Sequence, residues 1–246
     1  MLFDMTGRTA LVTGAGQNVG AGIARALAGQ GATVAVNDLR AERAQAIADE
    51  IIAAGGRAFV APFDVTDRDA VNEGVGRIGA VDILVNNAGN AGAEPIIPKS
   101  FRDMDPAEWE GPIRVNLYGV LHCCRAVIDG MCERGWGRVI TISSVAATGG
   151  GNIGIGAYSA GKGAGLSFTR TLALEVAKYG VTANALALGL MTVPDPKYTV
   201  GLARTIPIGR TGTPEDVAPA VVWLASNEAA WVTGQTIEVN GGAHTT

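Results

Sequence analysis

Tyr158 stands four residues before Lys162 in the run Ala157-Tyr158-Ser159-Ala160-Gly161-Lys162. On an α-helix, residues at that spacing share one face, so the phenol and the ammonium can meet. A phenol has a pKa of about 10 and is a poor base at neutral pH until a nearby cation stabilises its phenolate. Such a pair suits general acid–base work. A pair at this spacing also arises by chance, so its weight depends on what stands before it. Ser143-Ser144 comes first, with Ser144 14 residues ahead of Tyr158. Two further stretches carry chemistry-bearing types: Thr13-Gly14-Ala15-Gly16-Gln17-Asn18-Val19-Gly20 near the start and Asn86-Asn87-Ala88-Gly89 in the middle.

The elements that position these residues alternate. Apolar runs predict strands over Arg8–Thr13, Ala32–Asn37, Arg57–Pro62, Val81–Val85, Arg138–Ile142, Val181–Ala187 and Gln235–Val239. Between them, helices are expected over Val19–Gln30, Ala41–Ala54 and a stretch capped by Thr66 or Asp67 that ends at Gly79. Three more follow over Pro106–Arg134, Ala157–Tyr179 and Pro214–Ala225, the first with a start that Gly111-Pro112 can break. Regular alternation implies an α/β protein, a Rossmann-like doubly wound parallel sheet with right-handed crossovers. With no repeat and no linker, residues 1–246 read as a single domain.

Composition narrows the partners. Hydrophobic residues make up 48% and charged residues 17%, which favours a packed core over disorder. A net charge of −4 without a basic block argues against nucleic acid. No apolar stretch has membrane-spanning length, and the first residues lead straight into a strand pattern, so neither a membrane span nor a signal peptide is expected. Cys123, Cys124 and Cys132 lie in one helical stretch beside His122. Adjacent helical residues point apart, so buried reduced thiols in a cytoplasmic protein are expected rather than a metal site. A serine hydrolase is excluded by the lack of a Gly-x-Ser-x-Gly sequence and of a triad setting for His122 or His244.

A glycine-rich turn between strand and helix presents backbone N–H groups and a helix dipole to a pyrophosphate, or serves only tight strand–helix packing. Asn18 stands where a glycine would be usual, and asparagine enters positive φ at tolerable cost. Asp38, followed by Leu39, ends the second strand. It either accepts hydrogen bonds from an adenosine ribose or caps the next helix.

In this order and over this length, these stretches resemble the single-domain branch of the short-chain dehydrogenase/reductase family, and the resemblance covers nearly the whole chain. It implies an NAD(P)-dependent enzyme acting on CH–OH groups, with NAD preferred because of Asp38; Arg40 is the feature favouring NADP. It makes Tyr158 the acid/base. Lys162 lowers the phenol's pKa and binds the nicotinamide ribose, Ser144 bonds the substrate oxygen, and Asn116 orders a water leading from the lysine. Cofactor contacts carried over are Gly14, Gln17, Asn18, Val19, Asp38, Leu39, Asp64, Val65, Asn87, Ala88, Gly89, Tyr158, Lys162, Gly189 and Thr192. Asp64-Val65 and Asn86–Gly89 are open to a second account as turn chemistry alone. Leu188-Gly189 replaces the family's usual Pro-Gly before a lid at Val193–Gly209, whose prolines and few charges favour a small or moderately apolar substrate. The implied reaction interconverts a secondary alcohol and a ketone. The alternatives are a 3-oxoacyl-[acyl-carrier-protein] reductase, kept open by Arg125, Arg134, Arg204 and Arg210, or a nicotinamide-sensing protein without catalysis. A homotetramer is implied, with the helices at Pro106–Arg134 and Ala157–Tyr179 pairing through small residues such as Ala164, Gly165 and Ala173.

Overall fold

The computed structural model describes residues 2–89, 97–149, 154–192 and 201–245. Its centre is a seven-stranded parallel sheet in the order β3-β2-β1-β4-β5-β6-β7. The strands are β1 (Thr9–Val12), β2 (Thr33–Val36), β3 (Arg57–Val60), β4 (Ile83–Asn86), β5 (Gly137–Ser144), β6 (Val181–Leu188) and β7 (Thr236–Val239). Period-two alternation divides each strand between two apolar layers. Ala10, Val12, Val34, Val36, Ile83, Val85, Ile140 and Ile142 face one layer, built with α1 (Asn18–Gly29), α2 (Ala41–Ala53) and the C-terminal helix Pro214–Ala225. Leu11, Ala35, Leu84, Val139 and Ala183 face the other, with α3 (Arg68–Ile78) and the two long helices after β4 and β5. Burial on both faces is why the strands read as continuous apolar runs.

The local punctuation follows its chemistry. The Asp67 side chain caps α3, accepting from the backbone N–H groups of Asp69 and Ala70 at 2.9 and 3.1 Å. Pro214 begins the C-terminal helix, and the Asp216 carboxylate accepts from the Thr213 N–H at 2.8 Å.

The segment expected as one helix over Pro106–Arg134 is four pieces. A 3-10 turn at Pro106–Trp109 leads into α4 (Glu110–Ile113), a π-helical turn at Arg114–Tyr118 and α5 (Gly119–Glu133). Pro112 lacks an N–H for the ladder, and the Asn116 side chain donates to its carbonyl at 2.8 Å. The widened turn carries Asn116, buried, against the next long helix, α6 (Gly156–Val176). The C-terminal helix Pro214–Ala225 is α7.

Two expectations need correction. Gly165 and Ala173 pack inward, against the Asn116 carbonyl and the apolar layer, so they are not available to a neighbouring helix. Cys123 and Cys124 are buried, but Cys132 is partly exposed. Burial pushes the Cys124 thiol up to about 12. Of the expected lid, residues 193–200, including Pro194, Pro196 and Tyr198, lie outside the described residues. Among those described, no helix is long and apolar enough to cross a membrane.

Candidate active site

The sheet changes direction of winding between β1 and β4, and a cleft of about 1150 Å³ opens at the C-terminal ends of the strands there. This is where open α/β sheets accept ligands. Gly14, Gln17, Asn18, Val19, Asp38, Leu39, Asp64, Val65, Asn87, Ala88 and Gly89 line it, and so do Ser144, Tyr158, Lys162, Gly189 and Thr192. Asn116 lies just behind: a Cβ built on Gly89 would sit 2.9 Å from Lys162 Nζ and 3.2 Å from Asn116 Oδ1.

At one end the β1–α1 turn is shaped to approach a ligand closely. Gly14 has φ +60° and Asn18 φ +48°, so asparagine does occupy the left-handed region in place of a glycine. A side chain at Gly20 would collide with the Gly14 carbonyl. Gln17 begins α1 without a side-chain cap, leaving the first-turn N–H groups directed at the cleft. These features fit a dinucleotide pyrophosphate.

Asp38 is buried at the end of β2, where its Oδ2 accepts from the Gly16 N–H at 3.1 Å and its Oδ1 from the Arg40 N–H at 2.9 Å. Each oxygen retains a further lone pair. Asp64 Oδ1 accepts from the Thr66 N–H at 2.8 Å, so turn chemistry accounts for part of its role. Asn87 Nδ2 donates to the Thr13 and Gly14 carbonyls at 2.9 and 3.0 Å and so ties the two switch-point strands together.

Two contributors were given no site role from the sequence. The Thr13 hydroxyl accepts from the N–H groups of both Asn87 and Ala88 at 3.0 Å. Buried Asn37 accepts from the Gly14 N–H at 3.3 Å and donates to the Ala61 and Phe63 carbonyls. A polar residue closing an apolar strand was the available signal for Asn37.

At the other end, α6 presents Tyr158 and Lys162 on one face beside the end of β5. The Ser144 hydroxyl, which accepts from the Ala146 N–H at 3.2 Å, lines the cleft beside Tyr158. Ser143 Oγ instead donates to the Lys162 carbonyl at 3.3 Å, closing the strand as expected. Lys162 Nζ donates to the Ile142 carbonyl at 2.7 Å and lies 5.9 Å from the Tyr158 ring centroid. Burial pulls this lysine down to about 8. Burial also pushes the Tyr158 phenol above its ordinary value, and the nearby Ser144 hydroxyl offsets part of that. The expected lowering of the phenol is thus not a property of the chain by itself, because the ammonium is directed at a carbonyl and desolvation acts on both groups. Thr192, at the rim, donates its hydroxyl to the Gly212 carbonyl at 3.0 Å and shares a hydrogen bond with the Thr211 hydroxyl at 2.8 Å.

A cleft with an anion cradle at one end and a proton-handling phenol at the other is suited to dinucleotide-dependent redox chemistry. Residues 14–244 match the family described as Enoyl-(Acyl carrier protein) reductase. Nodulation protein G of Rhizobium sp. (strain N33) is 39% identical over 252 residues, covering 98% of each chain. A 3-oxoacyl-[acyl-carrier protein] reductase from Brucella melitensis, solved with bound NAD, superposes with a TM-score of 0.93 at 33% identity, covering 99% of this chain and 94% of that one. A gluconate 5-dehydrogenase from Burkholderia cenocepacia J2315, solved with NADP and tartrate, gives 0.88 at 36% identity, covering 98% and 96%. The chain belongs to the short-chain dehydrogenase/reductase family. It is an oxidoreductase of a family that acts on CH–OH groups and binds NAD or NADP.

Proposed function

We propose that this chain, as one domain, interconverts a secondary alcohol and a ketone and prefers NAD to NADP. The observation that carries the reading is the meeting of Ser144, Tyr158 and Lys162 in one cleft with Asp38 at its far end. A bound dinucleotide supplies the carrier for the hydride. Tyr158 removes the proton from the alcohol oxygen, or returns it to the ketone, and Ser144 donates a hydrogen bond to that same oxygen. Lys162, fixed by the Ile142 carbonyl, holds positive charge beneath the phenol, and Asn116 flanks it on the widened turn. Asp38 offers its remaining lone pairs to ribose hydroxyls and opposes a 2′-phosphate. Arg40 and Arg43 line the same end.

The carrier-protein alternative draws on the Brucella likeness but less on the arginines. Arg210 forms a two-pronged pair with Asp216, Arg125 pairs with Asp129, and Arg134 lies at the opposite edge of the sheet beside Asp82. A homotetramer is part of the proposal, now supported by Leu174, 81% exposed on α6, and Trp231, 99% exposed before β7. The deciding experiment screens secondary alcohols and ketones against NAD(H) and NADP(H), following nicotinamide absorbance. A clean preference for acyl thioesters with NADPH would overturn the reading.

A further inference from the structure

The wall of the cleft beyond Ser144 is held from outside by side chains that the reaction does not use. Glu238 of β7 accepts from Thr148 Oγ1 and from Asn240 Nδ2, each at 2.7 Å. His244 Nδ1 lies 2.9 Å from both of its oxygens. Asn240 Nδ2 also donates to the His244 carbonyl at 2.8 Å, so the C-terminal segment is bound to the same carboxylate twice. The His244 ring lies directly on Gly149, where any side chain would overlap the imidazole. Glu238 is well shielded, with 14% of its side chain exposed. Burial acts to raise its pKa, but the bonds from His244, Thr148 and Asn240 hold it below the ordinary value.

The cluster connects to the chemistry through one short turn. From Ser144 the chain makes a 3-10 turn at Val145–Ala147, and the Thr148 and Gly149 N–H groups return to the Val145 carbonyl at 3.2 and 2.9 Å. Val145 and Ala146 line the cleft beside Ser144. In the sheet, Ser143 pairs with Ala187 and Ala187 with Glu238, so Glu238 stands two strands across at the height of Ser143, the residue before Ser144. We propose that Glu238 and His244 are positioning residues: they clasp the C-terminal segment onto the Ser144–Gly149 turn and so hold Ser144 and the substrate wall in register with Tyr158. This rests on reading that part of the cleft as the substrate site.

The test uses the full-length protein in two measurements: hydrogen–deuterium exchange without ligand, and kinetics with the secondary alcohol that the wild type turns over fastest. His244→Ala and Thr148→Val should speed exchange in peptides covering 144–149 by roughly tenfold and raise the alcohol KM by a similar factor. Dinucleotide affinity, read by NADH fluorescence, should stay unchanged. His244→Asn, which keeps an N–H near the Nδ1 position, should behave as wild type. Unchanged exchange at 144–149 in both disrupted variants overturns the clasp. So does an alcohol KM that stays put while the turn loosens, or a dinucleotide Kd that worsens by the same factor as the KM. If the wild type turns over no alcohol, the proposed reaction fails on that result, while the exchange data still decide the clasp.

Discussion

The two edges of the sheet hold the same kinds of side chain in opposite arrangements. Where the strands begin, Trp136 lies between the guanidinium of Arg8, 3.7 Å from the ring centroid, and that of Arg138, 4.3 Å away. Arg138 is buried and donates to the carbonyls of Ser226, Gly137 and Gly180. Asp82 accepts from the Thr9 N–H at 3.0 Å and faces Arg8 and Arg134. Where the strands end, Lys162 is also buried, but its neighbours surround a cleft. Burial pulls both cations down, Arg138 to about 10 and Lys162 to about 8. A perturbed buried charge therefore does not mark a site; here the marker is open space beside it.

The largest expected effect separates the edges by activity. Tyr158→Phe should lower turnover by at least a hundredfold, since positioned acid–base groups contribute about 10²–10⁴. NADH affinity and melting temperature should change little, because the ring remains. Arg138→Met at the other edge should leave turnover per folded molecule unchanged. A Tyr158→Phe enzyme retaining more than about a hundredth of wild-type activity would remove Tyr158 from the acid–base role.

Asp38 comes next. Its charge-assisted hydrogen bonds to a ribose, each worth about 1.5–3 kcal/mol, together with repulsion of a 2′-phosphate, favour NAD by on the order of a hundredfold in kcat/KM. Asp38→Ser should weaken NAD use and lift NADP use. Loss of the bond to the Gly16 N–H, which fixes the turn, should limit the size of the NADP gain. A wild type that uses both dinucleotides equally would assign the adenosine end to Arg40 or Arg43.

Local chemistry was legible in the sequence. The Tyr158–Lys162 spacing, the strand alternation and the tolerance of Asn18 for positive φ all follow from a few neighbouring residues, and each has its counterpart in the structure. What escaped depends on distance or on burial. The apolar pattern over Pro106–Arg134 indicates a helix but not its winding, so the π turn at Asn116 left no trace. Thr148 and Glu238 meet across 90 residues. Desolvation of Tyr158 is set by what packs around α6, so the upward shift of its phenol could not be read from the presence of a nearby lysine.

The same logic, applied to stability, gives the smallest effect, with opposite signs at the two edges. Folding lowers Lys162 from 10.5 to about 8, so holding it charged at pH 7 costs roughly 3 kcal/mol, at about 1.4 kcal/mol per unit. Lys162→Met removes that cost but leaves the Ile142 carbonyl without its donor, a loss of about 1–2 kcal/mol. The variant should therefore be inactive yet more stable by about 1–2 kcal/mol at pH 7. Between about pH 8 and 10.5 the unfolded wild type binds the proton that the folded form has released, so wild-type stability rises with pH across that window and the variant's advantage disappears. Arg138→Met removes a burial cost of the same kind but should destabilise on balance, because three carbonyls lose their donor and Trp136 loses a stacked guanidinium. Denaturant titrations of the three proteins at pH 7 and pH 10 measure both signs. A Lys162→Met protein less stable than wild type at pH 7 would mean that the lysine is as well accommodated as Arg138, and that the cleft edge carries no strain of its own.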